Sequence, residues 1–160
     1  MISTLVVRDA RAEDAEEFVR AHEAAWDAAL SPIVGKRLAE LAPFDDRVER
    51  FRAGFAQPPP DVGAWIAERD GTTLGVAVRV GSELRDLYVV PEAWGTGVAA
   101  ALMTEAVDAI RNSGSSEATL WVGAANARAR RFYERTRWVA SGETRTSALG
   151  PEEVRYRRTV

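Results

Sequence analysis

The 160 residues of this chain are expected to form a single domain over residues 1–160, since domains typically hold about 100–150 residues. The apolar share of 46% and the charged share of 28% are those of an ordinary soluble globular protein. The net charge of −3 argues against a general nucleic-acid binder, and the apolar runs are far shorter than the ~18–20 residues that span a bilayer.

Cysteine is absent and His22 is the single histidine. This composition excludes disulfides, thiolate metal ligands and a cysteine nucleophile. A zinc site would have to be almost all carboxylate, which is rare, so no metal is expected. The first residues meet a charge at Arg8 without a long apolar stretch. We therefore expect no signal peptide, and cytoplasm is the default location.

The first 60 residues predict one strand and two helices. Residues 3–9 are typical of a short strand. A helix is predicted over residues 11–30, because apolar residues recur on one face and acidic residues fill its first turns. Ser31-Pro32 is expected to end this helix. A second, less regular helix is predicted over residues 44–55.

The rest of the chain predicts a sheet interrupted by two helices. Three strands are predicted to pair antiparallel across the turns at Asp70-Gly71 and Gly81-Ser82, over residues 62–68, 74–80 and 84–90. After the third of these strands, a helix is predicted to begin at the glycines and run to about residue 112, with Gly114 as its cap. A strand over 118–122, a helix over 127–137 and strands over 138–141 and 153–158 are predicted to follow. The order β-α-α-β-β-β-α-β-α-β-β predicts a mixed α/β sheet with helices on both faces.

Gly95 and Gly97 lie where the helix after the third of these strands begins. Free amides, the helix dipole and the missing side chains make such a turn an anion site. Residues 95–100 also fit the loose G-x-G-x-x-[G/A] pattern of dinucleotide-binding folds. Those folds place the turn after a first strand, with an acidic residue about 20 positions on at the end of the next strand, whereas Glu117 precedes its strand. A turn without any ligand is the remaining alternative.

The stretch LRDLYVVPEAWGTGVAAALM, residues 84–103, resembles motif A of the GNAT superfamily of N-acetyltransferases. That motif is a strand, a proline and then [Q/R]-x-x-G-x-[G/A] opening a helix. Gly97 and Ala99 fit its last two defined positions, while Trp94 stands where the pattern has Gln or Arg.

A second stretch, LWVGAANARARRFYERTRW at residues 120–138, resembles motif B of the same superfamily. Asn126, Ala129, Phe132 and Tyr133 match its N-x-x-A-x-x-F-Y pattern, and Arg137 replaces the usual glycine. The order of the elements agrees as well, so the resemblance covers nearly the whole chain.

The resemblance implies a GNAT-like acyl-CoA N-acyltransferase fold with acetyl-CoA as cosubstrate. The pyrophosphate would lie on the amides of the glycine turn, and the pantetheine arm would lie between two splayed strands. The residues implied in binding acetyl-CoA are Leu87, Tyr88, Val89, Val90, Trp94, Gly95, Thr96, Gly97, Val98, Ala99, Asn126, Ala129 and Arg130.

The last 35 residues are basic. Residues 126–160 carry nine arginines and four glutamates, a balance of +5 that leaves −8 for the rest of the chain. Arg128, Arg130 or Arg131 could therefore meet a CoA phosphate. A solvated arginine-rich surface is the alternative.

The implied reaction is transfer of the acetyl group to a primary amine by direct attack in a ternary complex. Tyr133 is the candidate acid for the leaving thiolate, because it occupies the family's tyrosine position; a packing tyrosine is the alternative. Glu83 is the candidate base, directly or through water, and a solvent-facing carboxylate is its alternative. Asp86 is three residues further along the strand and should face the other way.

His22 lies four residues before Trp26 on one face of the first helix. The region often borders the acceptor cleft in this superfamily. A surface or capping role is nevertheless favoured for this histidine.

The acceptor is left open among a small polyamine or amino compound, an antibiotic amine and a peptide N-terminus. A non-catalytic acyl-CoA-binding module is the alternative function, because Trp94 and Arg137 depart from the motifs. A DNA-binding protein is disfavoured by the absence of a basic recognition helix. No nucleic acid or membrane partner is expected, and a homodimer stays open.

Overall fold

The computed structural model describes residues 3–160, so Met1 and Ile2 of the predicted single domain lie outside the described residues. The strands are β1 (Val6–Asp9), β2 (Val62–Arg69), β3 (Thr72–Val80), β4 (Glu83–Val89), β5 (Glu117–Gly123), β6 (Val139–Thr146) and β7 (Glu152–Thr159). The helices are α1 (Ala15–Val34), α2 (Leu38–Leu41), α3 (Phe44–Ala56), α4 (Val98–Asn112) and α5 (Ala127–Arg135). The predicted order is confirmed, with α2 as an addition of one turn.

The seven strands form one mixed sheet in the order β1-β2-β3-β4-β5-β7-β6. All pairs are antiparallel except β4 and β5. Both faces of β3 are buried, because α1 and α4 pack against it and residues 75–79 are all buried. The predicted mixed α/β fold is therefore confirmed.

The parallel strands β4 and β5 touch at one end only. In the described part of the chain their pairing consists of Glu83 opposite Thr119, beside a hydrogen bond from the Thr119 amide to the Ser82 carbonyl at 3.0 Å. Beyond that point the strands diverge toward the start of α4. This divergence opens the middle of the sheet, where the candidate site lies.

A β-bulge at Arg85 changes which residues of β4 share a face. Asp86 pairs with Val78 and Glu83 pairs with Val80, so Arg85 is an extra residue in β4. Because paired residues of an antiparallel ladder point to one face, and Val78 and Val80 share a face, Glu83 and Asp86 share it too. The prediction that Asp86 faces away from Glu83 is wrong, since the bulge breaks the alternation.

The end of α1 also differs from the prediction. Pro32 lies inside the helix, which continues to Val34. The Gly35 amide bonds to the Ser31 carbonyl at 2.8 Å, and Gly35 has the left-handed conformation with φ of 80°. Gly35 therefore ends the helix as its cap. The proline lacks one amide hydrogen bond, which the last turn tolerates.

Helix α5 ends at Arg135, two residues earlier than predicted. Arg137 follows with φ of +74°, the left-handed conformation that glycine adopts most easily. The Trp138 amide bonds to the Tyr133 carbonyl at 3.0 Å, which is the bond of a Schellman cap. The arginine at the family's glycine position therefore keeps the backbone that a glycine would take.

Candidate active site

The glycine turn presents free amides at the start of α4. Gly95 and Gly97 have φ of 75° and 89°, and Gly97 is the N-cap of this 15-residue helix. Across residues 3–160 we find no hydrogen-bond acceptor for the amides of the next positions, 98–100, or of Gly97 itself. A Cβ built on either glycine would meet nothing within 4 Å. The turn is therefore an open site with N–H donors at the positive end of a helix.

Several residues predicted to bind acetyl-CoA have side chains that are buried, bonded to the chain itself or small. Val90 and Val98 bury their side chains in the core. Thr96 donates its hydroxyl to the Ala93 carbonyl. Ala99 lies in the first turn of α4. The geometry is thus suited to a ligand bound by backbone amides.

Trp94 and Arg128 form a stacked pair beside the turn. The Arg128 guanidinium lies 3.5 Å from the centre of the Trp94 ring, and Trp94 Nε1 donates to the Val89 carbonyl at 2.8 Å. Partial desolvation lowers the pKa of Arg128, yet an arginine stays charged at neutral pH. A fixed positive charge therefore lies near the helix start.

The other predicted binding residues of α5 bond to the chain itself. The Asn126 side chain accepts from the Ala129 amide at 3.3 Å and caps the helix. Arg130 donates to the Tyr156 hydroxyl at 3.0 Å and to the Ala124 carbonyl at 2.9 Å. Contact of these three residues with acetyl-CoA stays a prediction. The bonds of Arg130 indicate a structural role in joining α5 to β7.

A small cavity of about 80 Å³ lies where β4 and β5 diverge. It is lined from one side by the predicted residues Leu87, Tyr88 and Val89. Asn126, Ala129, Arg128 and Tyr133 line it from the side of α5. The divergence of the strands thus brings the predicted residues of both motifs to one opening.

Tyr133 is buried in this opening, with 7% of its surface exposed. Its ring packs edge-on against Trp138 at 6.0 Å. Burial raises the pKa of the Tyr133 phenol above its usual 10, and the nearby charge of Arg128 opposes this effect. The hydroxyl therefore keeps its proton at neutral pH, as a proton donor must.

A larger cavity of about 910 Å³ lies on the other side of Tyr88. It is bounded by α1, α3, strands β2 to β4 and the segment that joins β6 to β7. Leu30, Arg85, Tyr88 and Glu153 line both cavities, so the two meet at these residues. The small cavity between β4 and β5 is a narrow slot, and the larger cavity is a wide chamber. The slot and the chamber share a boundary at these residues.

His22 lies in the wall of the larger cavity, and the predicted surface or capping role is wrong. Its side chain is 12% exposed, and the ring meets Tyr88 edge-on at 4.5 Å. His22 Nε2 is 3.9 Å from Asp86 Oδ1. Burial lowers the pKa of the His22 imidazole, while the charge of Asp86 opposes the shift.

Glu83 lines neither cavity, although it lies on the same sheet face as Asp86. It sits at the closed end of the divergence, opposite Thr119. Its role as the base stays a prediction.

Arg47 is a site residue that was not predicted from the sequence; it is 3% exposed and lines the larger cavity. Its guanidinium is paired with Glu23 of α1 and donates to the Ala42 carbonyl at 2.9 Å. The signal was present in the sequence, because Arg47 interrupts the apolar spacing of Phe44, Val48 and Phe51 on one helix face.

Within residues 3–160 no cluster of three His, Asp or Glu side chains is arranged to hold a metal ion. The helices of the same residues are too short or too polar to cross a membrane.

Comparison with known proteins places these features in one family. Residues 13–137 match the profile of the acetyltransferase (GNAT) family. The chain is 33% identical over 144 residues to an uncharacterised N-acetyltransferase of Mycobacterium tuberculosis, covering 86% of this chain and 90% of that protein. It is 37% identical over 83 residues to an uncharacterised N-acetyltransferase of Archaeoglobus fulgidus; this match spans 44% of the chain and 56% of that protein's length.

Solved structures share the same fold. The PaiA N-acetyltransferase of Thermoplasma acidophilum, solved in complex with coenzyme A, superposes with a TM-score of 0.75 at 18% identity, covering 98% of this chain and 99% of that one. A nourseothricin acetyltransferase superposes with a TM-score of 0.58 at 27% identity, covering 65% of this chain and 69% of that one. From the family profile and the mycobacterial relative, the chain belongs to the acetyltransferase (GNAT) family.

Proposed function

We propose that the chain is an acetyl-CoA-dependent N-acetyltransferase that acetylates a primary amine by direct attack in a ternary complex. One observation carries the proposal: the slot between β4 and β5 and the wide chamber meet at Tyr88. A thioester held in the slot would present its carbonyl at the boundary of a chamber of about 910 Å³. Holding both reactants in this way makes the attack effectively unimolecular.

The cosubstrate is assigned from the glycine turn. The free amides at Gly97 and the start of α4 suit the CoA pyrophosphate, and Arg128 adds a positive charge beside them. The fold shared with the Thermoplasma acidophilum protein solved with coenzyme A supports this choice. A dinucleotide is disfavoured, because the turn follows three antiparallel strands here.

The transfer needs few catalytic groups, because the thioester is already activated. The amine nitrogen attacks the carbonyl carbon, and a backbone N–H between residues 87 and 89 is the proposed donor to the oxyanion. Loss of one such donor typically costs about 10²–10³-fold in rate. Tyr133, which lines the slot and keeps its proton at neutral pH, then gives that proton to the departing sulfur.

A thiol-release assay tests the proposal directly. The protein is incubated with acetyl-CoA and a panel made of a polyamine, an aminoglycoside, an amino acid and an amino-terminal peptide, and free CoA is followed. Turnover with at least one amine is expected. CoA binding with no turnover of any amine, and no slow hydrolysis, would favour the non-catalytic binding module instead.

A melting experiment tests the cosubstrate separately. Acetyl-CoA at about a hundred times its Kd should stabilise the protein by about 2.7 kcal/mol, which raises Tm by several degrees for a domain of this size. A shift with NAD and none with acetyl-CoA would contradict the assignment.

A further inference from the structure

His22 and Asp86 are held side by side in the wall of the larger cavity without bonding each other. Their closest atoms, Nε2 and Oδ1, are 3.9 Å apart, which is beyond hydrogen-bond distance. His22 Nδ1 is fully buried and has no hydrogen-bond partner among residues 3–160. Nε2 is therefore the ring nitrogen left to reach the cavity, and it faces a carboxylate across a gap.

We infer that this gap receives the nitrogen of the acceptor amine, that Asp86 holds it as an ammonium, and that His22 Nε2 takes its proton. The inference rests on the proposed acetyltransferase function. An ammonium nitrogen about 2.8 Å from each of the two atoms would satisfy both at normal hydrogen-bond length. Two donors of one –NH₃⁺ group would then be used, one toward a carboxylate and one toward an imidazole.

The location of the pair suits this role. His22 packs edge-on against Tyr88 at 4.5 Å, and Tyr88 lines both cavities. Asp86 is two residues before Tyr88 on the same sheet face. An amine held between His22 and Asp86 would thus lie on the chamber side of the boundary, next to the end of the slot where the thioester carbonyl is expected.

Burial and the neighbouring charges keep the His22 imidazole neutral and therefore able to accept a proton. Burial is the largest effect and lowers the pKa of His22. Asp86 on β4 and Glu23 on α1 oppose that shift, whereas Arg47 and Arg50 on α3 reinforce it. The neighbouring Tyr88 is neutral, because burial raises the pKa of its phenol. His22 is therefore neutral at pH 7, whereas a free amine with a pKa near 10 arrives protonated.

The proton and electron movements balance. The ammonium gives one proton to His22, and the freed lone pair forms the N–C bond. The C–S bond breaks with its electron pair on sulfur, which takes the proton of Tyr133. The second proton lost by the nitrogen restores Tyr133, and His22 releases its own to water. The transfer to His22 comes before the attack, because an ammonium nitrogen has no lone pair. The second proton is lost more easily, because the nitrogen becomes more acidic once the N–C bond has formed.

The test is the pH profile of kcat/KM for the parent and for His22→Gln. In the parent, kcat/KM should rise through the pKa of His22 and level off below pH 7. In His22→Gln the rate at pH 7 should fall by about 10²–10⁴-fold. It should then climb up to the pKa of the acceptor itself, because only amine that is already deprotonated can react. A uniform loss at all pH values would mean a structural role and would overturn the inference.

Three further variants separate the alternatives. Glu105→Gln, which changes an exposed carboxylate of α4 that lines neither cavity, is the control and should keep the parent profile. Glu83→Gln tests the other candidate base. If Glu83→Gln abolishes the rising limb and His22→Gln keeps it, Glu83 is the base and the inference fails. Asp86→Asn should raise KM for the amine more than it lowers kcat, because it removes the anchor for the ammonium.

A readout without turnover uses the fact that His22 is the only histidine. One pair of imidazole C–H signals, Hδ2 and Hε1, is therefore expected in the proton NMR spectrum, and its titration gives the pKa of His22 directly. That pKa should lie below 6.5 in the parent and fall further in Asp86→Asn, because the stabilising negative charge is lost. An unchanged pKa in folded Asp86→Asn would overturn the pairing. Absence of acetylation by the parent would instead overturn the proposed function itself.

Discussion

The guanidinium of Arg128 lies 3.5 Å from the centre of the Trp94 ring. A cation on an indole face contributes about 0.5–2 kcal/mol, depending on its exposure. Trp94 stands at the motif position where the family has Gln or Arg. The stack therefore brings a positive charge from α5 to the place where the motif would have a polar side chain, beside the free amides of the glycine turn.

We predict that Arg128→Gln weakens CoA binding. Hydrogen bonds to charged groups contribute about 1.5–3 kcal/mol, so Kd should rise roughly tenfold or more, and the difference should shrink as salt is added. Isothermal titration with CoA measures the effect. Arg135→Gln, an exposed arginine at the other end of α5, is the control. Equal Kd values for the two variants would place the phosphates away from Arg128.

We predict that Gly97→Glu abolishes most CoA affinity while the fold survives. A Cβ at this position meets no atom within 4 Å, so the main structural cost is the left-handed backbone, about 1–2 kcal/mol. Its carboxylate would occupy the phosphate position and repel it. Gly114→Glu is matched for this strain, because Gly114 has φ of +96° and open space at the other end of α4.

The outcome is read from CoA titrations of the two folded variants. Gly114→Glu should bind CoA as the parent does. If Gly97→Glu does so as well, the anion does not lie at the glycine turn.

The sequence predicts those parts of the site that depend on local geometry. A turn with two glycines before a helix produces free amides wherever it occurs, so Gly95 and Gly97 could be identified without the fold. The bulge at Arg85 could not, because it depends on how β4 pairs with β3. As a result, alternation along the strand placed Asp86 on the wrong face.

The burial of His22 could not be predicted from the sequence either. Its burial results from Phe51 of α3 at 6.3 Å and Tyr88 of β4 at 4.5 Å, both distant in sequence. Helical spacing correctly gave the shared face with Trp26, which is also a cavity residue. Spacing alone does not say what packs against that face.

We predict that Arg137→Gly stabilises the protein by about 1 kcal/mol. Arg137 has φ of +74° at the end of α5, where a residue with a Cβ pays about 1–2 kcal/mol. Part of the gain is offset by the greater freedom of glycine in the unfolded chain. Urea unfolding measures the change. Arg131→Gly, in the middle of α5, should instead lose about 1 kcal/mol, and a loss in both variants would show that Arg137 is unstrained.

We predict that Asp14 contributes stability that is lost in acid. Arg8 bonds both carboxylate oxygens of Asp14, at 2.8 and 2.9 Å. These hydrogen bonds hold the pKa of Asp14 below its usual 3.8. A depressed carboxyl pKa stabilises the fold fully above the unfolded value, and this stability disappears as pH falls through the folded pKa. The relevant window therefore lies below about pH 4.

The comparison is the free energy of unfolding of parent and Asp14→Asn at pH 7, 5 and 3. The deficit of the variant should be constant between pH 7 and 5, at about 1–2 kcal/mol for hydrogen bonds to a charged group, and smaller at pH 3. Asp61→Asn, an exposed loop aspartate, should show little deficit. A deficit for Asp14→Asn that is as large at pH 3 as at pH 7 would contradict the assignment.

We predict that Tyr133→Phe lowers kcat by about 10²–10⁴-fold, the contribution of a positioned general acid, and leaves the Kd for CoA almost unchanged. The ring fills the same space against Trp138, so only the proton donor is lost.

Tyr156→Phe is the control for a lost hydroxyl. Tyr156 bonds Arg130 and Glu134 at 3.0 and 2.8 Å, and this variant should lose stability while keeping kcat. Tyr88→Phe distinguishes the two phenols at the slot, because Tyr88 is the other tyrosine that lines it. Turnover of Tyr133→Phe within threefold of the parent, with a large loss in Tyr88→Phe, would move the acid role to Tyr88.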